Sequence, residues 1–329
     1  MSALPAERDP LAELLVAGGE PLQDALAASE RRLREVAEQA GPPLDRPARE
    51  TIDAGGKRLR PLLVALSALA TGTLDGPHVV PAAVAVELVH SATLVHDDII
   101  DRAPLRRGRP TVAAAYGRRE AIALGDLLFA RAFSELAGTG ELAALAVLAG
   151  ASRALARGEL LQREDAWDPT LATERYAERC ELKTAALFEA ACRLGALPAG
   201  AAADALADFA RRIGVAFQIL DDVLDIEGPE ERTGKTPGTD LLDGTVTLPF
   251  LLARDADESL ARLDLRALRR GPELEALCAQ IAQTGALGEA RERALALVAA
   301  AKRELPAELD EHGATLLRLV ADAVVARYS

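Results

Sequence analysis

The stretch 80–100, which reads VPAAVAVELVHSATLVHDDII, constrains the fold most strongly because it is apolar on nearly every side of a helix. Such a helix is normally central and buried. Apolar residues recur at helical spacing in most of the remaining chain, and aromatic residues make up only 3% of the 329 residues. This composition, dominated by alanine and leucine, favours an all-α protein. Further helices are predicted over 117–136, 141–164, 171–195 and 201–227, and a loop is predicted over 228–247.

A chain of 329 residues is long enough for two domains, but it also suits one large helical domain. We find no clear β pattern, internal repeat or low-complexity linker that would mark a domain boundary. The simplest prediction is a single domain over 1–329, with N-terminal helices in 1–45 packed on the core.

The net charge of −13 argues against a nucleic-acid partner and against attachment to an anionic membrane. Any affinity for phosphates must therefore come from a local basic cluster. The three cysteines, Cys180, Cys192 and Cys278, are far apart and lack metal-ligand spacing, which is typical of reduced thiols in an intracellular protein. The N-terminal sequence shows no signal peptide, and no uninterrupted apolar run reaches the ~18 residues of a membrane span. We therefore expect a cytoplasmic protein without a transmembrane segment.

Two acidic triplets with the same DDxxD spacing follow apolar helices: Asp97, Asp98 and Asp101, and then Asp221, Asp222 and Asp225. Each triplet covers one helix face, at roughly 0°, 100° and 40° around the axis. Crowded carboxylates repel each other, and Mg²⁺ is commonly held by one or two carboxylates together with substrate phosphates. One such triplet is usually a solvated face, whereas two with identical spacing favour metal binding. If the two helices face each other, they would hold several Mg²⁺ ions around a diphosphate.

A diphosphate bridged by Mg²⁺ still carries negative charge, so basic side chains should converge on it. A lone basic residue is more often a solvated surface charge, and GGK at 55–57 lacks the spacing of a Walker A loop. His90 lies about two helical turns before Asp97, and Gln218 lies three residues before Asp221, so both are candidates for substrate contact. The basic candidates, with one hydroxyl, are Lys57, Arg58, Arg60, Arg106, Arg107, Lys183, Thr184 and Lys235.

Together these runs resemble the trans-isoprenyl diphosphate synthase, or polyprenyl synthetase, family over nearly the whole chain. The resemblance implies a single polyprenyl synthetase domain, folded as an all-α bundle of the isoprenoid-synthase type around a central cavity, and a homodimer. It also implies a Mg²⁺-dependent enzyme that condenses isopentenyl diphosphate with an allylic diphosphate. The matching runs, in the family's order, are GGKRLRP, ELVHSATLVHDDIID, LRRGRPT, GDLLFARAF, GELLQ, LKTAALFEAACRLGA, GVAFQILDDVLDI, GKTPGTDL and TLPF.

The family likeness also implies roles for the matching positions. The aspartates of both triplets would act through several Mg²⁺ ions on the allylic diphosphate, with Lys183 assisting catalysis. One departure is Thr245, where many relatives carry a basic residue. Isopentenyl diphosphate would be held by Lys57, Arg60, His90 and Arg107. The allylic substrate would be contacted by Arg106, Lys183, Thr184, Gln218 and Lys235.

Product length depends on how deep the site is below the first triplet. Thr93 lies one helical turn before Asp97 on the same face, and Ala92 is its neighbour. In the family, bulky aromatic residues near these positions are associated with short products, and here both residues are small. Phe129, on the next predicted helix, is a candidate for a deeper floor. We expect a product longer than geranylgeranyl diphosphate, in the hexaprenyl to decaprenyl class; a geranylgeranyl or farnesyl diphosphate synthase, with ordinary packing roles for Ala92 and Thr93, is the alternative.

Three other functions agree with only part of the sequence. A terpene cyclase would carry a different second metal motif containing Asn, Ser and Glu, whereas the intact DDVLD at 221–225 favours chain elongation. A non-catalytic subunit of a heteromeric synthase tends to lose the aspartate and basic motifs, which are complete here. An acidic helical scaffold would explain the composition but not two matched triplets accompanied by lysines and arginines.

Overall fold

The computed structural model describes residues 10–228 and 237–326. Most of these residues lie in helices, which confirms the all-α prediction. Within this part of the chain, the only strands are those of a short antiparallel hairpin, β1 (Leu105–Arg106) and β2 (Arg109–Pro110). The α-helices are α1 (Pro10–Ala17), α2 (Gly19–Glu38), α3 (Asp45–Asp53), α4 (Leu59–Ala70), α5 (Val79–Ile100), α6 (Val112–Tyr116), α7 (Arg118–Ala137), α8 (Leu142–Glu164), α9 (Thr173–Cys180), α10 (Ala186–Gly195), α11 (Ala201–Glu227), α12 (Thr239–Leu242), α13 (Leu248–Ala256), α14 (Glu258–Ala261), α15 (Pro272–Gln283), α16 (Ala286–Arg303) and α17 (Glu311–Ala326).

The apolar stretch that was predicted to be central forms α5. It packs against α2, α4, α7 and α10, and the residues of its middle section are fully buried. By length and composition α5 is apolar enough to cross a membrane, but 67% of its most apolar segment is buried inside the protein. That burial is expected of a core helix, because neighbouring helices already cover its apolar sides.

The helix α10 connects the two elements that carry the acidic triplets, because it packs against both α5 and α11. On its other side α11 packs against α16, and α4 packs against both α10 and α17. The first triplet lies at the C-terminal end of α5, and the second lies near the C-terminal end of α11. The bundle therefore holds the two predicted metal-binding segments on helices that share a neighbour.

The N-terminal helices contact the core. Helix α1 packs on α17 and α2, while α2 packs on α3, α4 and α5. The division of the chain as one domain over 1–329 stays a prediction.

The segment predicted as one helix over 171–195 is divided into three parts. Helix α9 ends at Cys180, a π-helix follows over Glu181–Ala185, and α10 begins at Ala186. The wider turn contains no Gly or Pro, so no turn residue in the sequence marked it. The predicted loop over 228–247 contains the short helix α12, and residues 229–236 lie outside the described part of the chain.

All three cysteines are free and buried. Burial raises the pKa of the Cys192 thiol to about 12 and that of Cys278 to about 11. Burial also raises the pKa of Cys180 well above its usual range. These thiols are therefore protonated and unreactive in the folded protein.

Candidate active site

The first acidic triplet ends α5 and has charged partners from three other elements. Asp97 is partly buried, and burial raises the pKa of its carboxyl to about 6, with Glu159 and Asp101 adding to the shift and Lys183 opposing it. Asp98 is buried, and Nε of Arg106 donates to its Oδ1 atom at 2.8 Å. Asp101 is exposed and forms an ion pair with Arg163. The middle aspartate is thus bonded within the protein, while the first and third border a crowded group of charges.

In the second triplet, on α11, the middle aspartate is again the buried one. Asp222 is buried and its two carboxylate oxygens accept hydrogen bonds from Tyr176, at 2.6 Å, and from Gln218, at 2.8 Å. Burial raises the pKa of Asp222. Asp221 is exposed, and Asp225 accepts the backbone N–H of Asp240 at 3.1 Å.

This set of oxygen donors fits a hard divalent cation that binds together with a diphosphate. Among residues 10–228 and 237–326, no three His, Cys, Asp or Glu side chains converge closely enough to hold a metal ion by themselves. Mg²⁺ is usually held by one or two carboxylates, with substrate phosphates and water completing its shell. Burial is the main cause of the raised pKa of Asp97, with smaller contributions from Glu159 and Asp101, and a bound cation would favour its charged form.

A cavity of about 790 Å³ brings the predicted basic residues together with the second triplet. Its apolar wall includes Leu94, Phe188 and Phe217. The two aromatic rings lie 5.7 Å apart between centroids. The predicted residues that line this cavity are Lys57, Arg58, Arg60, His90, Arg106, Arg107, Asp221 and Asp225.

The electrostatics of this cavity favour an anion. Burial lowers the pKa of Arg60 to about 10, with the charge of Arg107 contributing, and the Arg60 guanidinium lies 5.0 Å from the centre of the Phe188 ring. Its Nε atom is buried and has no hydrogen-bond partner among the described residues. The pKa of His90 is lowered well below 6.5 by burial and then by Arg60, Arg107, Arg106 and Arg58. Four guanidinium groups act on this neutral imidazole, and the part of the cavity around His90 therefore suits a diphosphate.

Arg58 has a structural role in this arrangement. It adopts a left-handed backbone conformation with φ of 47° at the start of α4. Its guanidinium forms ion pairs with Glu30 and Glu87, each at 2.9 Å, and donates to the carbonyl oxygen of Ile52 at 2.7 Å. These bonds hold the turn that presents Lys57 and Arg60 to the cavity.

The π-helix presents Lys183 and Thr184 between α8 and α11. A Cβ atom on Gly158 of α8 would lie 2.8 Å from the backbone nitrogen of Lys183, and one on Gly214 of α11 would lie 2.7 Å from Cα of Ala185. Contacts this short exclude a side chain at either glycine without displacement of the backbone. The hydroxyl of Thr184 donates to Oε1 of Gln218 at 2.7 Å, which links the π-helix to the second triplet.

Two charged residues on α8 belong to the site and were missed by the analysis of the sequence. Glu159 contacts Nζ of Lys183 at 2.5 Å, and Nε of Arg163 at 3.2 Å. Arg163 also pairs with Asp101, so α8 joins Lys183 to the first triplet. The run GELLQ contains Glu159, but in the sequence it supported only the family resemblance.

The residues predicted to set product length lie along α5 and α7. Ala92 is fully buried, and the hydroxyl of the partly buried Thr93 donates to the carbonyl oxygen of His90 at 2.8 Å. Phe129 on α7 is partly buried and stacks on His96 at 6.0 Å between ring centroids. Their role in product length stays a prediction. Lys235, the remaining candidate for substrate contact, lies outside the described residues.

Comparisons with known proteins agree with this site. Residues 42–284 match the family model described as polyprenyl synthetase. The chain is 45% identical over 235 residues to heptaprenyl diphosphate synthase component 2 of Geobacillus stearothermophilus, which covers 70% of this chain and 73% of the relative. It is 37% identical over 290 residues to geranylgeranyl diphosphate synthase of Methanosarcina mazei, which covers 85% of this chain and 88% of that protein.

A solved structure shows that the likeness extends to the whole fold. The polyprenyl synthase from Caulobacter crescentus, complexed with calcium and isoprenyl diphosphate, superposes with a TM-score of 0.89 at 34% identity. The alignment covers 99% of this chain and 100% of the other. Because the family model spans most of the sequence and the fold agrees throughout, the chain belongs to the polyprenyl synthetase family and is a prenyltransferase of the trans-prenyl diphosphate synthase type.

Proposed function

We propose that this enzyme condenses isopentenyl diphosphate with an allylic diphosphate, in the presence of Mg²⁺, and repeats the step to make an all-trans polyprenyl diphosphate longer than geranylgeranyl diphosphate. The observation that carries the proposal is the cavity of about 790 Å³, where the predicted basic residues meet aspartates of the second triplet. The Caulobacter relative, which binds calcium and isoprenyl diphosphate, supports both a divalent cation and a diphosphate ligand.

Each group of residues has a distinct part in the proposed reaction. Lys57, Arg60, His90 and Arg107 hold the diphosphate of isopentenyl diphosphate, with His90 neutral and acting as a hydrogen-bond partner. Lys183 and Arg106 stabilise the negative charge that develops on the leaving diphosphate as the allylic carbon–oxygen bond breaks. The apolar wall formed with Phe188 and Phe217 keeps water from the allylic cation until the double bond of isopentenyl diphosphate attacks it. The departing diphosphate accepts the proton that is then lost.

The divalent cations would be held by aspartates of the two triplets. Asp97, Asp101, Asp221 and Asp225 are the first choice, because Asp98 and Asp222 are bonded to Arg106, Tyr176 and Gln218. Mg²⁺, when bound, would supply positive charge that offsets the charge on the leaving diphosphate.

The product class is proposed from α5 and from the relatives. Ala92 and Thr93 are small, so neither side chain blocks growth along α5 below the first triplet. The Geobacillus relative makes a heptaprenyl product by name, while the Methanosarcina relative is named for geranylgeranyl diphosphate. We favour the hexaprenyl to decaprenyl class, and geranylgeranyl diphosphate is the alternative.

A single assay tests this function. The purified protein is incubated with labelled isopentenyl diphosphate, Mg²⁺ and, in separate reactions, geranyl, farnesyl or geranylgeranyl diphosphate, and product length is measured by chromatography. Elongation past twenty carbons supports the proposal. A product that ends at farnesyl or geranylgeranyl diphosphate would overturn the long-chain assignment, and turnover that persists unchanged in Asp97→Ala/Asp101→Ala would overturn the site assignment.

We also propose that the enzyme is a homodimer in the cytoplasm. Three of the exposed large apolar side chains lie on the consecutive helices α7 and α8: Ile122 is 42% exposed, Leu142 78% and Leu160 64%. We take these side chains as the candidate subunit interface. The name of the Geobacillus relative, component 2, favours a second candidate, in which this chain is the catalytic subunit of a two-subunit synthase. Full activity of the purified chain alone would overturn the two-subunit candidate, and a measured mass of two chains would support the homodimer.

A further inference from the structure

Tyr176 on α9 is bonded to the second triplet, although neither the family motifs nor the cavity includes it. Tyr176 is 2% exposed, and its hydroxyl donates to Oδ2 of Asp222 at 2.6 Å. The other carboxylate oxygen, Oδ1, accepts from Nε2 of Gln218 at 2.8 Å. Both oxygens of Asp222 are therefore bonded to the protein, which fixes the orientation of the carboxylate.

The same chain segment contacts α11 twice. Tyr176 bonds to Asp222, and Thr184 of the following π-helix donates to Oε1 of Gln218 at 2.7 Å. Gln218 and Asp222 are four residues apart, so the two contacts lie one helical turn from each other along α11. Lys183 directly precedes Thr184. The two contacts therefore fix the backbone of Lys183 relative to the second triplet, both around and along the axis of α11.

The ring of Tyr176 is itself held in place. The guanidinium of Arg179, a residue only 4% exposed, lies 5.5 Å from the ring centre. Nη2 of Arg179 donates to the carbonyl oxygen of Val246, in the segment that precedes α13. A ring packed in this way has one direction available for its hydroxyl, so the bond to Asp222 is preorganised.

We propose that Tyr176 is a positioning residue for prenyl transfer: its hydroxyl holds Asp222 and thereby fixes the turn of α11 from which Asp221 and Asp225 line the cavity, where the allylic diphosphate and its divalent cation would bind. The inference rests on the proposed function. Tyr176 acts through Asp222 and supplies no group to the substrate.

The test uses Tyr176→Phe, which removes one hydroxyl and keeps the ring. Binding of inorganic pyrophosphate in saturating Mg²⁺ is measured by calorimetry, and we expect the dissociation constant to rise about tenfold, as for a lost hydrogen bond to a charged group. The kcat with farnesyl and isopentenyl diphosphates should fall by about the same factor. Binding of isopentenyl diphosphate without Mg²⁺, which reports on the basic pocket, should change by less than about twofold.

Tyr116→Phe is the matched control. The hydroxyl of Tyr116 also donates to a carboxylate at 2.6 Å, that of Glu50, but in an exposed position. Its loss should leave pyrophosphate binding and kcat unchanged. A Tyr176→Phe protein that binds Mg²⁺ and pyrophosphate like the wild type would overturn the proposal. So would a parallel loss of isopentenyl diphosphate binding and of Tm, because that pattern indicates a general loss of the fold.

A double-mutant cycle with Asp222→Ala tests whether the effect passes through Asp222. Alanine offers no acceptor to the hydroxyl of Tyr176, so each single variant removes the bond between the two side chains. If Tyr176 acts through Asp222, the loss in the double variant is clearly less than the product of the two single losses. Independent, multiplicative losses contradict the proposal. A wild-type protein that forms no prenyl product would instead overturn the proposed function, and with it this inference.

Discussion

Asp97 is held in a position that is unfavourable for its charge. Burial raises the pKa of its carboxyl to about 6 from an ordinary value of 3.8, and the carboxylates of Glu159 and Asp101 increase the shift. Functional sites often carry such local costs, because groups that bind a charged ligand cannot also be neutralised by the fold. The free energy of unfolding of the metal-free protein should therefore change when the charge of Asp97 is removed.

We predict that Asp97→Asn stabilises the metal-free enzyme at neutral pH while abolishing turnover. Because the folded-state pKa of about 6 lies above the unfolded value, the folded protein binds more protons in this window, and stability falls as pH rises from about 4 to about 6. Removing the charge should raise the free energy of unfolding by about 1–2 kcal/mol at pH 7 and leave it nearly unchanged at pH 4. Urea denaturation in EDTA measures this.

Asp126→Asn is the control for that experiment, since the side chain of Asp126 is 71% exposed. Its effect should stay within about 0.5 kcal/mol at both pH values. A variant at Asp97 that is no more stable than the wild type at pH 7 would contradict the assigned cause of the shift.

Single residues were predicted from the sequence where they share a helix with a recognisable motif. The aspartates, His90 and Gln218 follow from spacing on one helix face, which depends only on helical geometry. Glu159 and Arg163 could not be placed in this way, because their partners Lys183 and Asp101 lie on other helices. Tyr176 and Asp222 lie on two different helices and are 46 positions apart in the sequence, so no local pattern predicts the bond between them.

Among the elements, the π-helix is one that sequence periodicity did not find. A π-turn inserts one residue into an otherwise continuous helix, so the apolar pattern on either side is preserved and only its phase changes. The structure shows what admits it: glycines on both neighbouring helices, at Gly158 and Gly214, let the wide turn approach closely. The backbone of the π-helix is thus fixed from two sides.

We predict that Gly158→Ala displaces the π-helix and impairs turnover. The added Cβ would lie 2.8 Å from the backbone nitrogen of Lys183, so Lys183 must shift. A displacement of this kind should lower kcat by about 10- to 100-fold, and overpacking should cost about 1–3 kcal/mol of stability. Steady-state kinetics and thermal denaturation measure the two effects.

Gly150→Ala on the same helix is the matched control, because a Cβ there has nothing within 4 Å. It should leave kcat unchanged and raise stability by about 0.5–1 kcal/mol, as expected for glycine replaced by alanine in a helix. Equal kinetic effects of the two substitutions would show that the contact with Lys183 is unimportant.

Helix α5 carries a prediction about product length. Thr93→Phe places an aromatic ring one turn below Asp97, where it should block the growing chain and shift the product toward farnesyl or geranylgeranyl diphosphate without a matching loss of total turnover. Val80→Phe, near the start of the same helix, should leave the product length unchanged. Product analysis by chromatography separates the outcomes, and an unaltered product from Thr93→Phe would place the growing chain elsewhere.

At the scale of the whole molecule, we expect exposed apolar side chains to determine whether the chain forms a dimer. The double variant Ile122→Glu/Leu142→Glu introduces charge at two exposed apolar side chains of α7 and α8, and we expect it to convert a dimer into a monomer. The control is Leu295→Glu/Leu319→Glu, whose wild-type side chains are 46% and 42% exposed on α16 and α17. Light scattering after gel filtration measures the mass. Dissociation by the control pair instead would place the interface on the other side of the molecule.

The fold class was predictable at this scale because composition and periodicity agree along the chain. Alanine-rich apolar stretches leave few alternatives to a helical bundle, and the central place of α5 follows from its lack of a polar side. The placement of α5 and α11 beside the same helix did not follow in this way. It depends on α10, which packs against both helices, and such a contact cannot be deduced from the pattern of either helix alone.

The buried thiols have a practical consequence for experiments on this enzyme. Cys180, Cys192 and Cys278 lie on α9, α10 and α15, and each is protonated and shielded from solvent. An alkylating reagent can therefore label a given cysteine only when the helices around it separate. Cys180 lies four residues after Tyr176, so its labelling rate reports opening beside the second triplet. The three rates, resolved by mass spectrometry, would map which part of the bundle opens first.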